Sequence, residues 1–177
     1  MCSSDLIVGA ASSAVTLGVI DRITAAGVVQ FSPANTAAEL TTYPDRGLYF
    51  RTAPSDLLQA GVLATLVTGD GHRDVAVINR DDAYGTGLAD ALATSLAAAG
   101  ARVVVRRTYA EGVTAFAADV DELARRRPDA VVVIGFEESS RILAAMVAAG
   151  IGPARVAVYG TAGNMANALG ENLEKGV

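Results

Sequence analysis

Cysteine and histidine are almost missing from this chain: its 177 residues include one of each, Cys2 and His72. A single cysteine cannot close an internal disulfide, and a lone histidine with no cysteine nearby excludes a zinc site. Tryptophan is absent, and although apolar residues make up 51% of the chain, no apolar run approaches the roughly 20 residues a membrane-spanning helix needs. Basic residues are few as well, 14 against 19 acidic ones for a net charge of -5. Apart from Arg106-Arg107 and Arg125-Arg126-Arg127 they are scattered, so the basic face that nucleic acid requires is lacking. The opening residues, Met1 to Leu6, carry neither a basic segment nor a long apolar stretch and do not form a signal peptide. Because Leu6-Ile7-Val8-Gly9 already reads as a buried strand, the chain is expected to be the interior of a longer protein, and whether Met1 to Leu6 is native stays open.

What the chain does have is short β-branched runs alternating with amphipathic segments. Strands are expected at Leu6–Val8, Val28–Phe31, Leu48–Arg51, Val75–Asn79, Val103–Thr108, Ala130–Gly135 and Arg155–Tyr159. Most are apolar at consecutive positions, as in parallel strands covered on both faces. Helices are expected from Ser13 to Ala26 (stripe Val15, Val19, Ile23, Ala26), Asp56 to Thr68 (Leu58, Val62, Leu66) and Tyr84 to Ala99 (Leu88, Leu92, Leu96). Two more run from Ala115 to Arg127 (Phe116, Val120, Leu123) and from Glu138 to Ala149 (Ile142, Leu143, Met146, Val147). Gly27, Gly69, Gly100 and Gly150 follow these stripes as stop signals. Repeated βα units imply an α/β fold with doubly wound parallel sheets.

The pattern breaks at Arg51-Thr52-Ala53-Pro54-Ser55, where a strand ends and a proline precedes a capping serine. A lobe boundary is expected there, with residues 1–52 forming the later part of one lobe and 53–177 most of a second. The first supplies about three strands and one helix, too little to enclose a core alone.

The run Asp81-Asp82-Ala83-Tyr84-Gly85-Thr86-Gly87 follows the strand ending at Asn79 and opens a helix. In open α/β sheets, this carboxyl end of a strand is where small ligands bind. Together with Gly9 to Thr16, Gly27 to Thr36, Glu39-Leu40-Thr41, Phe50-Arg51-Thr52 and Pro128 to Phe136, this run resembles the leucine/isoleucine/valine-binding class of periplasmic substrate-binding proteins. The resemblance covers the chain from about Leu6 onward. It implies the type I periplasmic-binding-protein fold, in which two Rossmann-like lobes close over a small ligand and deliver it to an ABC transporter permease. It also implies an extracytoplasmic location, periplasmic or as a cell-surface lipoprotein. Membrane contact would come only through a lipid anchor or permease outside this chain, with no cofactor, no metal and no catalysis.

By the same resemblance, Ser13 grips a ligand carboxylate beside Ser12, the Ala34 carbonyl accepts from an ammonium group, and Thr36 contacts both ends of an amino-acid zwitterion with Asn35 next to it. Tyr84 and Phe136 supply aromatics from the second lobe. Read without it, Ser12 or Ser13 is a helix cap, Ser32-Pro33-Ala34-Asn35-Thr36 is an ordinary turn, and Phe136 is a core contact. Tyr84, on an exposed turn, is harder to explain as packing. Replacing Ser13 and Thr36 together by alanine is expected to weaken binding without changing the melting temperature of the apo protein. One departure stands out: Ala162 falls where members specific for aliphatic amino acids carry a glutamate that pairs with the ammonium. Either another acid, Asp81 or Glu137, replaces it, or the ligand is not an α-amino acid but an amide, urea or aromatic acid.

Two other functions compete. For a nucleotide-dependent enzyme, Gly85 and Gly87 lack the third glycine of the phosphate fingerprint, and no Walker lysine appears. Asp81-Asp82 and Arg80 read as a solvated loop, and His72 lies at the wrong end of its strand to activate a serine. A ligand-sensing receptor domain of the same fold is not separable from a transport component by these residues.

Overall fold

In this computed structural model the described residues are 6–165; Cys2 and the residues of uncertain origin before Leu6 lie outside them. Two parallel sheets are present. The smaller has the order β1 (Leu6–Val8), β2 (Val29–Ser32), β3 (Tyr49–Arg51), with helix α1 (Ser13–Ala25) crossing from β1 to β2. The larger contains β4 (Asp74–Arg80), β5 (Arg102–Tyr109), β6 (Ala130–Ile134) and β7 (Ala157–Tyr159) in the order β5-β4-β6-β7. Its helices are α2 (Asp56–Gly69), α3 (Ala83–Ala98), α4 (Ala117–Arg125) and α5 (Ser139–Ala148). Short 3-10 turns at Ala38–Thr41 and Ala162–Asn164 were not expected from the sequence.

Because β5 and β6 flank β4 on opposite sides, the chain reverses its winding there and the helices fall on both faces. Successive side chains of β4 and β6 therefore serve different layers. Val75, Val77, Val132 and Ile134 pack with Leu63 and Val67 of α2 and Leu88, Leu92 and Leu96 of α3. Ala76, Ile78, Val131 and Val133 pack with Val120 and Leu123 of α4 and Ile142 and Met146 of α5. Apart from the small Ala76, these nearly unexposed aliphatic side chains each contribute roughly 1.5–3 kcal/mol by leaving water. The reversal also leaves a crevice at the carboxyl ends of β4 and β6.

The expected stripes of α3 and α4 are the buried ones, whereas those of α1 and α2 are not. In α1 the buried face is Ser13, Thr16, Ile20 and Thr24, with Val15 exposed. Its threonines can turn inward because their hydroxyls donate to Asn35 Oδ1 at 2.6 Å and to the Ile20 carbonyl at 2.9 Å. Helix α2 buries Ala60, Leu63, Ala64 and Val67 and exposes Leu58, Val62 and Leu66. It is apolar nearly all round, so periodicity could not choose its face, and the small Ala60 and Ala64 sit on the buried side. Gly69 is the last residue of α2, and Gly71 takes the positive φ that was expected of it.

Candidate functional site

The amino end of α1 and the loop after β2 face the carboxyl ends of β4, β6 and β7 across a cleft of about 650 Å³. From the first side come Ser12, Ser13, Ala34 and Thr36; from the second come Arg80, Tyr84, Phe136 and Ala162. Six of the seven residues proposed from the sequence therefore line one cavity. Asn35 does not.

Ser12 occupies the N-cap of α1, but its side chain makes no capping hydrogen bond. The first-turn N–H groups have no intrahelical acceptor by geometry, so an uncapped, positive helix end opens on the cleft. Ser13, the first helical residue, is nearly buried, and its Oγ accepts from the backbone N–H of both Thr36 and Ala37 at 3.2 Å. The hydroxyl thus pins the β2 loop to the helix and presents Thr36 to the cavity.

Asn35 is wholly buried and saturated. Its Oδ1 accepts from Thr16 at 2.6 Å and Tyr49 at 3.0 Å, while its Nδ2 donates to the carbonyls of Ala10 at 3.0 Å and Ala11 at 2.8 Å. All four hydrogen-bonding positions of the amide are used within the protein. Its place is beneath the cleft, where it ties the β1–α1 loop to the β2 loop.

Across the cavity, Tyr84 is not on an exposed turn but is 4% exposed and belongs to the core. Its hydroxyl donates to Thr161 Oγ1 at 2.9 Å and accepts from the Gly163 N–H at 3.0 Å. Burial raises its pKa, against the effect of those hydrogen bonds. Phe136 stacks tilted on Tyr84 with ring centroids 5.3 Å apart. The loop after β7 is fastened further by Asn164, whose Nδ2 donates to Ser139 Oγ at 2.7 Å and to the Val133 carbonyl at 3.2 Å.

The tight Tyr84-Gly85 corner has a steric cause. Asp82 caps α3 by accepting from the Gly85 N–H at 2.7 Å, and a Cβ on Gly85 would lie 2.2 Å from the Arg80 carbonyl oxygen. Of the acids considered in place of Ala162, Asp81 is exposed and does not line the cleft, whereas Glu137 does. The backbone N–H of Ala162 donates to Gln59 Oε1 at 2.8 Å.

Sequence reasoning passed over two charged groups. Asp56 is 0% exposed, and its N–H donates to the Thr36 carbonyl at 2.8 Å. Its Oδ1 accepts from Gln59 Nε2 at 3.0 Å, and its Oδ2 has no partner. Burial raises its pKa, opposed by Thr36, Gln59 and Arg51. In the sequence an Asp after a capping Ser looks only like a first-turn acid complementing the helix dipole, so the one available signal was the charge missing at Ala162.

Arg80, expected in a solvated loop, lies over the Phe136 ring at 5.1 Å with its side chain only 16% exposed. Carboxylates of Asp82 at 2.9 Å, Glu111 at 2.6 Å and Glu138 at 3.9 Å surround it. Burial disfavours its charge, but these acids outweigh that and hold its pKa above the ordinary value. His72 is remote from all of this, edge-on to Tyr159 at 6.1 Å.

An uncapped helix end and an aromatic wall thus face one another across a cleft between the two sheets. The family model for periplasmic binding proteins matches residues 3–177, and the chain belongs to that family. Among curated relatives, the Leu/Ile/Val-binding protein BraC3 of Rhizobium johnstonii is 34% identical over 141 residues, covering 78% of this chain and 38% of the relative. An ABC transporter substrate-binding protein from Desulfitobacterium hafniense, solved in complex with Leu, is similar at 26% identity and a TM-score of 0.72, covering 88% of this chain and 46% of that one. The leucine-binding protein LivK from Thermotoga maritima has the same fold, with a TM-score of 0.86 at 22% identity over 97% of this chain and 48% of that one. The chain thus has the type I periplasmic-binding-protein fold and spans well under half the length of its curated relatives.

Proposed function

We propose that this chain is part of an extracytoplasmic solute-binding protein that captures an α-amino acid between two lobes and hands it to an ABC transporter permease. Residues 1–52 belong to one lobe and 53–177 to the other, with hinge motion near Arg51 to Ser55. The observation that carries the reading is a pair of opposite electrostatic demands on either side of Thr36. On the side of its N–H, tied to Ser13, stands the uncapped amino end of α1, suited to a carboxylate. On the side of its carbonyl, tied to Asp56, stands a buried carboxylate oxygen without a donor among the described residues, suited to an ammonium. Asp56, buried behind Thr36 and not itself among the residues lining the cleft, supplies from beneath it the negative charge that Ala162 cannot, and Tyr84 and Phe136 close over the ligand from the far side. Binding, not catalysis, is what these groups perform: no step needs a bond to break.

The test is a thermal-shift screen of the full-length protein against amino acids, amides, urea and aromatic acids. A ligand-dependent rise with α-amino acids is expected. A response confined to molecules lacking an ammonium group would reject the reading.

A further inference from the structure

Beside its aromatic wall, the second-lobe side of the cleft carries charged groups, Arg80, Asp82, Glu111 and Glu137, that a site for a branched aliphatic side chain does not need. Arg80 lines both the main cleft and an adjoining polar compartment of about 520 Å³. The guanidinium is fixed from below by Phe136 and from the sides by Asp82 and Glu111. Its Nη1 stands 3.9 Å from Glu138, beyond hydrogen-bond distance, and its buried Nε makes no well-formed hydrogen bond although Asp82 approaches to 2.9 Å. The Glu138 carboxylate accepts instead from the Tyr109 hydroxyl at 2.9 Å. A guanidinium carries five N–H donors in a rigid fork, so donors remain for a bound molecule.

Charge then selects among polar ligands. Asp82 and Glu111, within 3 Å by their contacts of 2.9 Å and 2.6 Å, already offset the single positive charge of Arg80. Glu137 lines the same cleft and adds another negative group. A second full carboxylate brought to Arg80 would meet more repulsion than attraction, whereas a neutral carbonyl oxygen would satisfy the free donors at no such cost. An aliphatic side chain would bury those donors unpaired.

We propose that Arg80 is the specificity-determining residue of this cleft and selects an amino acid whose side chain ends in a neutral oxygen acceptor, a carboxamide foremost, over branched aliphatic ones. The inference rests on the amino-acid reading above. The test is calorimetric titration of the full-length protein with glutamine, glutamate and leucine, repeated on Arg80→Met and Glu111→Gln. Glutamine is expected to bind about tenfold or more tighter than leucine, the scale of one unmet hydrogen-bonding group, and Arg80→Met should erase that preference. Arg80→Met also strips Asp82 and Glu138 of their cation and risks the fold, so Glu111→Gln, at an exposed side chain, is the independent arm. By unmasking the guanidinium it should raise glutamate affinity relative to glutamine. Leucine binding as tightly as glutamine, or selectivity unmoved in both variants, would overturn the proposal. If no amino acid binds, the reading beneath it fails instead.

Discussion

Ser13 and Thr36, 23 positions apart by their numbering, meet through a hydrogen bond in which the Thr36 N–H donates to Ser13 Oγ at 3.2 Å. Because the same oxygen also accepts from Ala37, the serine is structural as well as cleft-lining, and the two residues should separate on mutation. Ser13→Ala leaves two donors without their acceptor and should cost the apo protein about 1–3 kcal/mol as well as ligand affinity. Thr36→Ala keeps the backbone contact but removes the hydroxyl that eases the burial of Asp56, so it should weaken binding at a smaller cost in stability than Ser13→Ala. Chemical denaturation of each single variant, beside titration, distinguishes these outcomes; equal loss of stability in both would refute them. The expectation that the double change is silent in the apo protein therefore does not hold for its serine half.

Asp56→Asn should have opposite effects on stability and function. A carboxyl whose folded pKa is raised binds its proton more tightly in the native state than in the unfolded one, so its contribution to stability is present below the ordinary value of 3.8 and is lost as pH rises through the raised one. Asparagine has no such loss. The variant should gain melting temperature over the natural protein progressively above that value, with its advantage present at neutral pH. If Asp56 meets the ligand ammonium, amino-acid affinity should fall at least about tenfold in the same variant.

Asn35→Leu deletes a saturated buried amide, leaving the hydroxyls of Thr16 and Tyr49 without their acceptor and the Ala11 carbonyl without its donor, while the Ala10 carbonyl keeps its bond from Ser32 Oγ at 2.7 Å. A loss of at least about 3 kcal/mol is expected from several such unmet groups. Urea unfolding would measure it, and a loss below about 1 kcal/mol would contradict the network's weight.

Gly85→Ala should be more damaging than an ordinary helix substitution, because the new Cβ meets a backbone oxygen rather than a movable side chain. Where alanine in a helix normally stabilises by up to about 1 kcal/mol relative to glycine, here it should destabilise by about 1–3 kcal/mol. Gly87→Ala two residues on, whose Cβ meets nothing within 4 Å, is the matched control and should be neutral or stabilising.

The fold was legible wherever one periodicity dominated. Leu88, Leu92 and Leu96 are a single leucine row among small and polar neighbours, and they are buried together. Helix α2 offered leucines and valines on every side, and the inward face was decided by the small Ala60 and Ala64, which carry little hydrophobic signal. In the first sheet, polar side chains went inside because partners distant in sequence were waiting for them, as Asn35 waits for Thr16. At the site, the residues of the turn after β2 and of the corner after β4 were readable as a cleft from their place at strand ends. Asp56 and Arg80 were not, because a buried charge and a solvated one are written with the same letter, and only packing tells them apart.

The wall built by Tyr84, Phe136 and the loop after β7 is finished before any ligand arrives: the tyrosine hydroxyl is already committed to Thr161 and Gly163, and Asn164 already holds the loop. An arriving molecule does not have to freeze those rotors, so little entropy is spent ordering that side of the contact. Its capture should then be fast and nearly insensitive to substitutions in the wall's hydrogen bonds. Tyr84→Phe, which takes the acceptor from Gly163, should lengthen no encounter and instead shorten the residence time, a change read in the dissociation rate by stopped-flow fluorescence.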